Sequence, residues 1–130
     1  MNSIKNTRIL IADDEGTMRS LLSSILKAEG YGHIEQVSDG QKALDHLRQS
    51  GTRVDLAFLD IDMPAFSGIE VMSMGKEAQA SCFWVIVTGH SAIENVMAAL
   101  GAGAGGFIVK PYTPQKIHDV LLKFERATAR

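Results

Sequence analysis

The sequence predicts an α/β protein, a doubly wound five-stranded parallel sheet with strand order 2-1-3-4-5 and helices on both faces. Two observations carry that prediction. Short apolar runs alternate with longer amphipathic ones five times along the chain, the pattern of strands buried on both faces and of helices packed against them. Five such units within 130 residues leave room for one domain, and repeated βα units imply a parallel sheet. A single domain over 1–130 is expected, with its core at about 7–127.

Each element has its own signal. Arg8 to Ala12 (RILIA) reads as the first strand, and Met18, Leu21, Leu22 and Ile25 repeat at helical spacing behind it. His33 to Val37 is a weaker strand, after which Asp39 is placed to cap a helix carrying Ala43, Leu44 and Leu47 on one face. Leu56 to Asp60 (LAFLD) is the third strand, and Ser67 to Glu70 has the spacing of a capping box that opens the third helix, within which Gly75 falls. Phe83 to Thr88 (FWVIVT) is the most β-prone run. Ser91 to Glu94 is a second capping box; Ile93, Val96, Met97 and Leu100 are expected inward behind it, with Asn95, Ala98, Ala99 and Ala102 outward. Gly106 to Val109 forms a short fifth strand, and Thr113 with Pro114 starts a last helix that turns Ile117, Val120, Leu121 and Phe124 inward.

Composition narrows the function. A net charge of −2 gives no basic footprint for nucleic acid. No apolar run approaches the ~20 residues of a membrane span, and MNSIKNTR at the start has no signal-peptide apolar region. The lone Cys82 cannot pair within the chain, so a reducing, cytoplasmic setting is expected and the thiol reads as a small buried hydrophobe. Trp84 reads as packing. The four histidines (His33, His46, His90, His118) show no metal-ligand spacing, although His90, two past Thr88, is a candidate for the site mouth. The stretch Gly101 to Gly106 matches G-x-G-x-x-G formally, but it follows a helix and leads into a strand, the reverse of a dinucleotide-binding context.

In open α/β sheets ligands bind outside the carboxyl ends of the strands. There the sequence places Asp13-Asp14 after the first strand, Asp60 at the end of the third, Thr88 at the end of the fourth and Lys110-Pro111 after the fifth. Strands 1, 3, 4 and 5 are neighbours in the expected order, about 4.8 Å apart, so the carboxylates, a hydroxyl and an ammonium converge. Crowded carboxylates repel unless a cation stands among them. An all-oxygen set without His or Cys favours a hard ion such as Mg2+ over zinc. Groups of this kind stabilise a transferring phosphoryl group, and an ionised carboxylate needs no general base to attack one. Each residue has a plainer reading: helix-start acids for Asp13 and Asp14, a turn before Pro64 for Asp60, strand filler for Thr88. Those readings leave the convergence unexplained.

Asp13-Asp14, the run LDIDMPAFSG from Leu59 to Gly68, Thr88 and Lys110-Pro111 resemble the response-regulator receiver domain, in order and spacing, from Arg8 to Phe124. The resemblance implies a flavodoxin-like (βα)5 sandwich and a signalling switch rather than an enzyme; with the sequence ending at the fifth helix, no output domain is expected. It implies that Asp60 accepts a phosphoryl group from a sensor histidine kinase or a histidine phosphotransfer protein. Asp13, Asp14, Asp60 and the backbone carbonyl of Asp62 would serve Mg2+, Thr88 and Lys110 would contact the phosphoryl oxygens, and Phe107 would be a rotating switch aromatic that also packs in the core. An unknown downstream protein would read the face of the fourth helix, fifth strand and fifth helix, the unphosphorylated protein being a monomer. The Asp62 carboxylate is a candidate for tuning the lifetime of the phosphorylated state.

Other functions fit less well. Asp60-Ile61-Asp62 resembles the nucleophile pair of haloacid-dehalogenase-like phosphatases, but those enzymes place the pair on the first strand, with further carboxylates later in the chain. A pseudo-receiver binding module usually lacks the acceptor or the acidic pair, both present here. Flavodoxin shares the fold, yet the first loop is DDEGT and not a hydroxyl-rich phosphate loop.

Overall fold

The computed structural model describes residues 6–89 and 93–128. Its elements are β1 (Arg8–Ala12), α1 (Gly16–Ala28), β2 (His33–Val37), α2 (Gly40–Arg48), β3 (Leu56–Asp60), α3 (Gly68–Gly75), β4 (Phe83–Thr88), α4 (Ile93–Gly101), β5 (Gly106–Val109) and α5 (Pro114–Thr128). The strands form one parallel sheet in the order β2-β1-β3-β4-β5. The sandwich is flavodoxin-like, as expected, and the five strands occupy the spans read from the sequence.

Alternate strand residues feed two apolar layers, because successive side chains of a strand point to opposite faces. Ile9, Ile11, Phe58, Val85 and Val87 pack with Leu22 and Leu26 of α1 and with Ile117, Leu121 and Phe124 of α5. On the other face Leu10, Ala57, Leu59, Trp84 and Ile86 meet Leu47 of α2, Val71 and Met72 of α3 and Ala99 of α4. Central β3 is buried throughout, whereas edge strand β2 is mostly exposed. Cys82 and Trp84 both belong to the second layer. Burial, with Asp55 nearby, pushes the Cys82 thiol up, so it stays protonated and apolar in character.

The caps are those expected wherever the structure describes them. Asp39 accepts from the Lys42 N–H at 2.8 Å, Ser67 and Glu70 exchange the reciprocal bonds of a capping box, and Thr113 accepts from the Lys116 N–H at 3.2 Å. His90 and the start of the second capping box (residues 91 and 92) lie outside the described residues. At the other end of α4, Gly103 takes φ +107°, a conformation that strains any side chain. The Ala104 N–H then reaches the Ala99 carbonyl and the Gly103 N–H the Leu100 carbonyl, the paired bonds of a Schellman stop.

Two helix faces differ from expectation. Leu21 is exposed, and α1 turns Leu22, Ile25 and Leu26 inward instead. On α4 the expected arrangement is partly reversed: Ala99 is not outward but fully buried, while Met97 (63% exposed) and Leu100 (52%) face outward.

 The small side chain of Ala99 lets α4 lie close to the sheet, with Ala102 packed beside it, and the two longer apolar chains find no room there.

One glycine fixes the distance between α3 and the sheet. A Cβ on Gly68 would lie 2.5 Å from the backbone oxygen of Asp60 and 2.8 Å from that of Leu59. Backbone cannot yield as a side chain can, so Gly68→Ala is expected to cost about 1–3 kcal/mol. Urea unfolding reads this directly, and an unchanged midpoint would contradict the close approach.

Candidate functional site

The sheet register builds the site. Ala12 pairs with Leu59, so Asp13 emerges from β1 level with Asp60 at the end of β3. Asp60 in turn pairs with Val87, and Thr88 with Val109, which brings Lys110 out of β5 one step beyond. The Lys110 N–H donates to the Thr88 carbonyl at 2.8 Å and continues the ladder past the strand. The Lys110–Pro111 peptide is cis.

Asp13, Asp60 and Thr88 are all buried, at 0%, 3% and 0% exposure, while Asp14 is exposed. The Asp13 loop is pinned at two points: the Glu15 N–H donates to Asp13 Oδ1 at 2.9 Å and Arg19 Nη1 to the Asp13 carbonyl at 2.6 Å. Asp60 receives one donor on each oxygen, the Asp62 N–H on Oδ1 at 3.0 Å and Lys110 Nζ on Oδ2 at 2.9 Å. Lys110 Nζ also lies 2.6 Å from Glu15 Oε1 and 2.9 Å from Asp13 Oδ2. That last contact is an ion pair without hydrogen-bond alignment, and Asp13 Oδ2 is left buried with no hydrogen-bond partner.

Oxygens of Asp13, Asp14, Glu15 and Asp60 all fall within 4.8 Å of one another, the one such group among the described residues. Four carboxylates against one ammonium leave the group strongly negative. An orphaned buried oxygen and an all-oxygen donor set fit a hard divalent cation such as Mg2+. Burial, with repulsion from Asp13, pushes the Asp60 carboxyl up to about 6, against the opposing bonds from Lys110 and the Asp62 N–H. Partial burial pulls Lys110 down, but the carboxylates of Glu15, Asp60 and Asp13 around it outweigh this and hold the ammonium above its usual range.

Thus the structure gathers Asp13, Asp14, Asp60, Thr88 and Lys110 at one edge, as expected. Asp62 contributes its backbone N–H to Asp60, and its exposed carboxylate is not among the four. Phe107 is half-buried on β5 against the α2, α3 and α4 layer. Two residues were missed in the sequence. Glu15 stands next to the acidic pair, which was the available signal. Tyr112, two past Lys110, is buried near Asp13; burial first, and then the Asp13 charge, push its hydroxyl up.

The model of the response regulator receiver domain matches residues 9–122. The chain belongs to the response regulator receiver family. Chemotaxis protein CheY-3 of Vibrio cholerae is 32% identical over 125 residues, which cover 94% of this chain and 95% of that protein. A CheY-like receiver domain from Methanospirillum hungatei superposes with a TM-score of 0.82 at 28% identity, covering 93% of this chain and 95% of that one. The response regulator TrrA of Thermotoga maritima, solved in complex with Mg2+-BeF, gives a TM-score of 0.78 at 31% identity, covering 91% and 98%. Receiver domains are signalling switches and not enzymes in the ordinary sense. No helix among the described residues is long and apolar enough to cross a membrane.

The raised Asp60 value has a consequence for stability, with a definite sign. The folded protein holds this proton more tightly than the unfolded chain, whose carboxyl titrates near 3.8. Asp60 therefore lowers stability progressively as pH rises from about 4 to about 6, and fully above that. Asp60→Asn is expected to stabilise the ion-free protein by about 1–3 kcal/mol at pH 7.5 and by little at pH 4. Thermal unfolding in chelator at the two pH values checks this; a destabilised variant at pH 7.5 would contradict it.

Proposed function

We propose that this receiver takes a phosphoryl group onto Asp60 from a sensor histidine kinase or a histidine phosphotransfer protein. The observation that carries the reading is the setting of Asp60, a buried carboxylate at the end of the central strand with Lys110 2.9 Å from one oxygen. A carboxylate oxygen attacks the phosphorus while the phosphorus–nitrogen bond to the donor histidine breaks. The imidazole leaves with that electron pair and takes up a proton. Lys110 and the Thr88 hydroxyl are assigned to the phosphoryl oxygens, whose spread charge such donors stabilise. Asp13, Asp14, Asp60 and the backbone carbonyl of Asp62 are assigned to Mg2+, which when bound neutralises charge on the transferring group. The Mg2+-BeF complex of TrrA supports that assignment by similarity.

Signalling follows by shifting the balance between two existing states. Thr88 drawn toward the new anion vacates space into which Phe107 turns. The output face is then α4, β5 and α5, read by a downstream protein. Met97 and Leu100 give that face exposed apolar groups, and Glu94 is the only charge between Ser91 and Val109. The α4 and β5 part of that face, so poor in charge, does not favour an ionic dimer, and the unphosphorylated protein is assigned as a monomer.

Incubation with acetyl phosphate and Mg2+ is expected to add one phosphoryl group, measured as intact mass, and Asp60→Asn to abolish the addition. The rate should climb with pH as Asp60 ionises, through a midpoint at or below about 6 because a bound cation favours the carboxylate, and then level off. Undiminished labelling of Asp60→Asn would move the acceptor elsewhere.

A further inference from the structure

Lys110 is surrounded by the protein's own carboxylates. Its Nζ lies 2.6 Å from Glu15, 2.9 Å from Asp60 and 2.9 Å from Asp13. Two of the three ammonium protons are donated to Glu15 and Asp60, and the Asp13 carboxylate stands beside the third, so an incoming anion competes with these neighbours for Lys110.

The three are not equally free to yield. Asp13 is fully buried, and its loop is held by the Glu15 N–H and by Arg19. Asp60 is buried, held by the Asp62 N–H, and is the residue on which the anion forms. The Glu15 side chain is 57% exposed. Glu15 occupies the N-cap position of α1 without making a side-chain cap bond, and its side-chain partner among the described residues is Lys110.

We propose that Glu15 is a positioning residue that holds the Lys110 ammonium at the mouth of the site in the unphosphorylated protein and releases it when an anion forms on Asp60. The proposal rests on the reading of Asp60 as acceptor. Glu15 thereby weights the switch toward its unphosphorylated state, because the phosphoryl oxygen competes with the Glu15 carboxylate for the ammonium. The contact is exposed to water, so the bias is modest, about two- to five-fold in equilibrium constant. Two carboxylates near the mouth thus act differently: Asp14 is left to a cation, and Glu15 to the lysine.

The test is the affinity of the full chain for beryllofluoride, a phosphoryl mimic, at saturating Mg2+, measured by calorimetry on wild type, Glu15→Gln, Glu15→Asp and Asp60→Asn. Mg2+ affinity alone is measured in parallel. Glu15→Gln removes the charge, and Glu15→Asp keeps it but draws it back by one methylene. Both are expected to bind beryllofluoride about two- to five-fold more tightly, while Mg2+ binding persists. The nitrogen resonance of the Lys110 ammonium should shift in both variants without ligand, a signature that a general structural role for Glu15 would not produce. Equal affinity in wild type and Glu15→Gln overturns the proposal. Weaker beryllofluoride binding together with lost Mg2+ binding also overturns it, making Glu15 an ion ligand. A gain in Glu15→Gln but none in Glu15→Asp overturns it in favour of charge alone. Binding that survives in Asp60→Asn defeats the acceptor reading instead, an outcome distinguishable from the other three.

Discussion

Negative charge crowded at the carboxyl edge of the sheet is the constraint around which the remaining features are arranged. Two like charges 4 Å apart repel by about 4 kcal/mol at an effective dielectric of 20, and four carboxylates here share a space within 4.8 Å. A single ammonium offsets part of that repulsion. The protein accepts a standing electrostatic cost at one place, and the Asp60 carboxyl is raised there by burial first and by repulsion from Asp13 in addition. A site held in that condition gains stability from a cation and binds an anion only with help from one.

The fold holds the charges where they would not go unaided. Parallel pairing of β1, β3, β4 and β5 aligns the ends of four strands, and apolar layers on both faces keep those strands from shifting. Gly68 lets α3 start directly against the Asp60 carbonyl, so the acceptor strand ends in a tight corner. Ala65, in the loop between them, takes φ +73°, strained for a residue with a side chain. Opposite, α4 rests on the sheet through the small Ala99 and leaves Met97 and Leu100 outside.

Much of this was legible in the sequence, for identifiable reasons. The strands were readable because both-face burial writes an uninterrupted apolar run, and the ends of those runs carried the chemistry. Asp39, Ser67 and Thr113 were readable because a cap is a local bond within three residues. The face of α4 was not readable, because a rule that ranks Met97 and Leu100 as more apolar than Ala99 ignores how close a helix must come. Glu15 was missed because its contact depends on where Lys110, 95 residues away, places its ammonium. Tyr112 likewise matters through the tertiary proximity of Asp13.

The central claim is that unbalanced negative charge at this edge is relieved by a bound divalent cation. Thermal unfolding of the wild-type protein across Mg2+ concentrations at pH 7.5, with ionic strength held constant by NaCl, tests it most directly. A ligand that binds the folded state adds about 2.7 kcal/mol at a hundred times its Kd. The account predicts a melting temperature that climbs by several degrees with the logarithm of Mg2+ concentration, and a much weaker climb in Asp13→Asn. A wild-type melting temperature that stays flat up to tens of millimolar Mg2+ would contradict it.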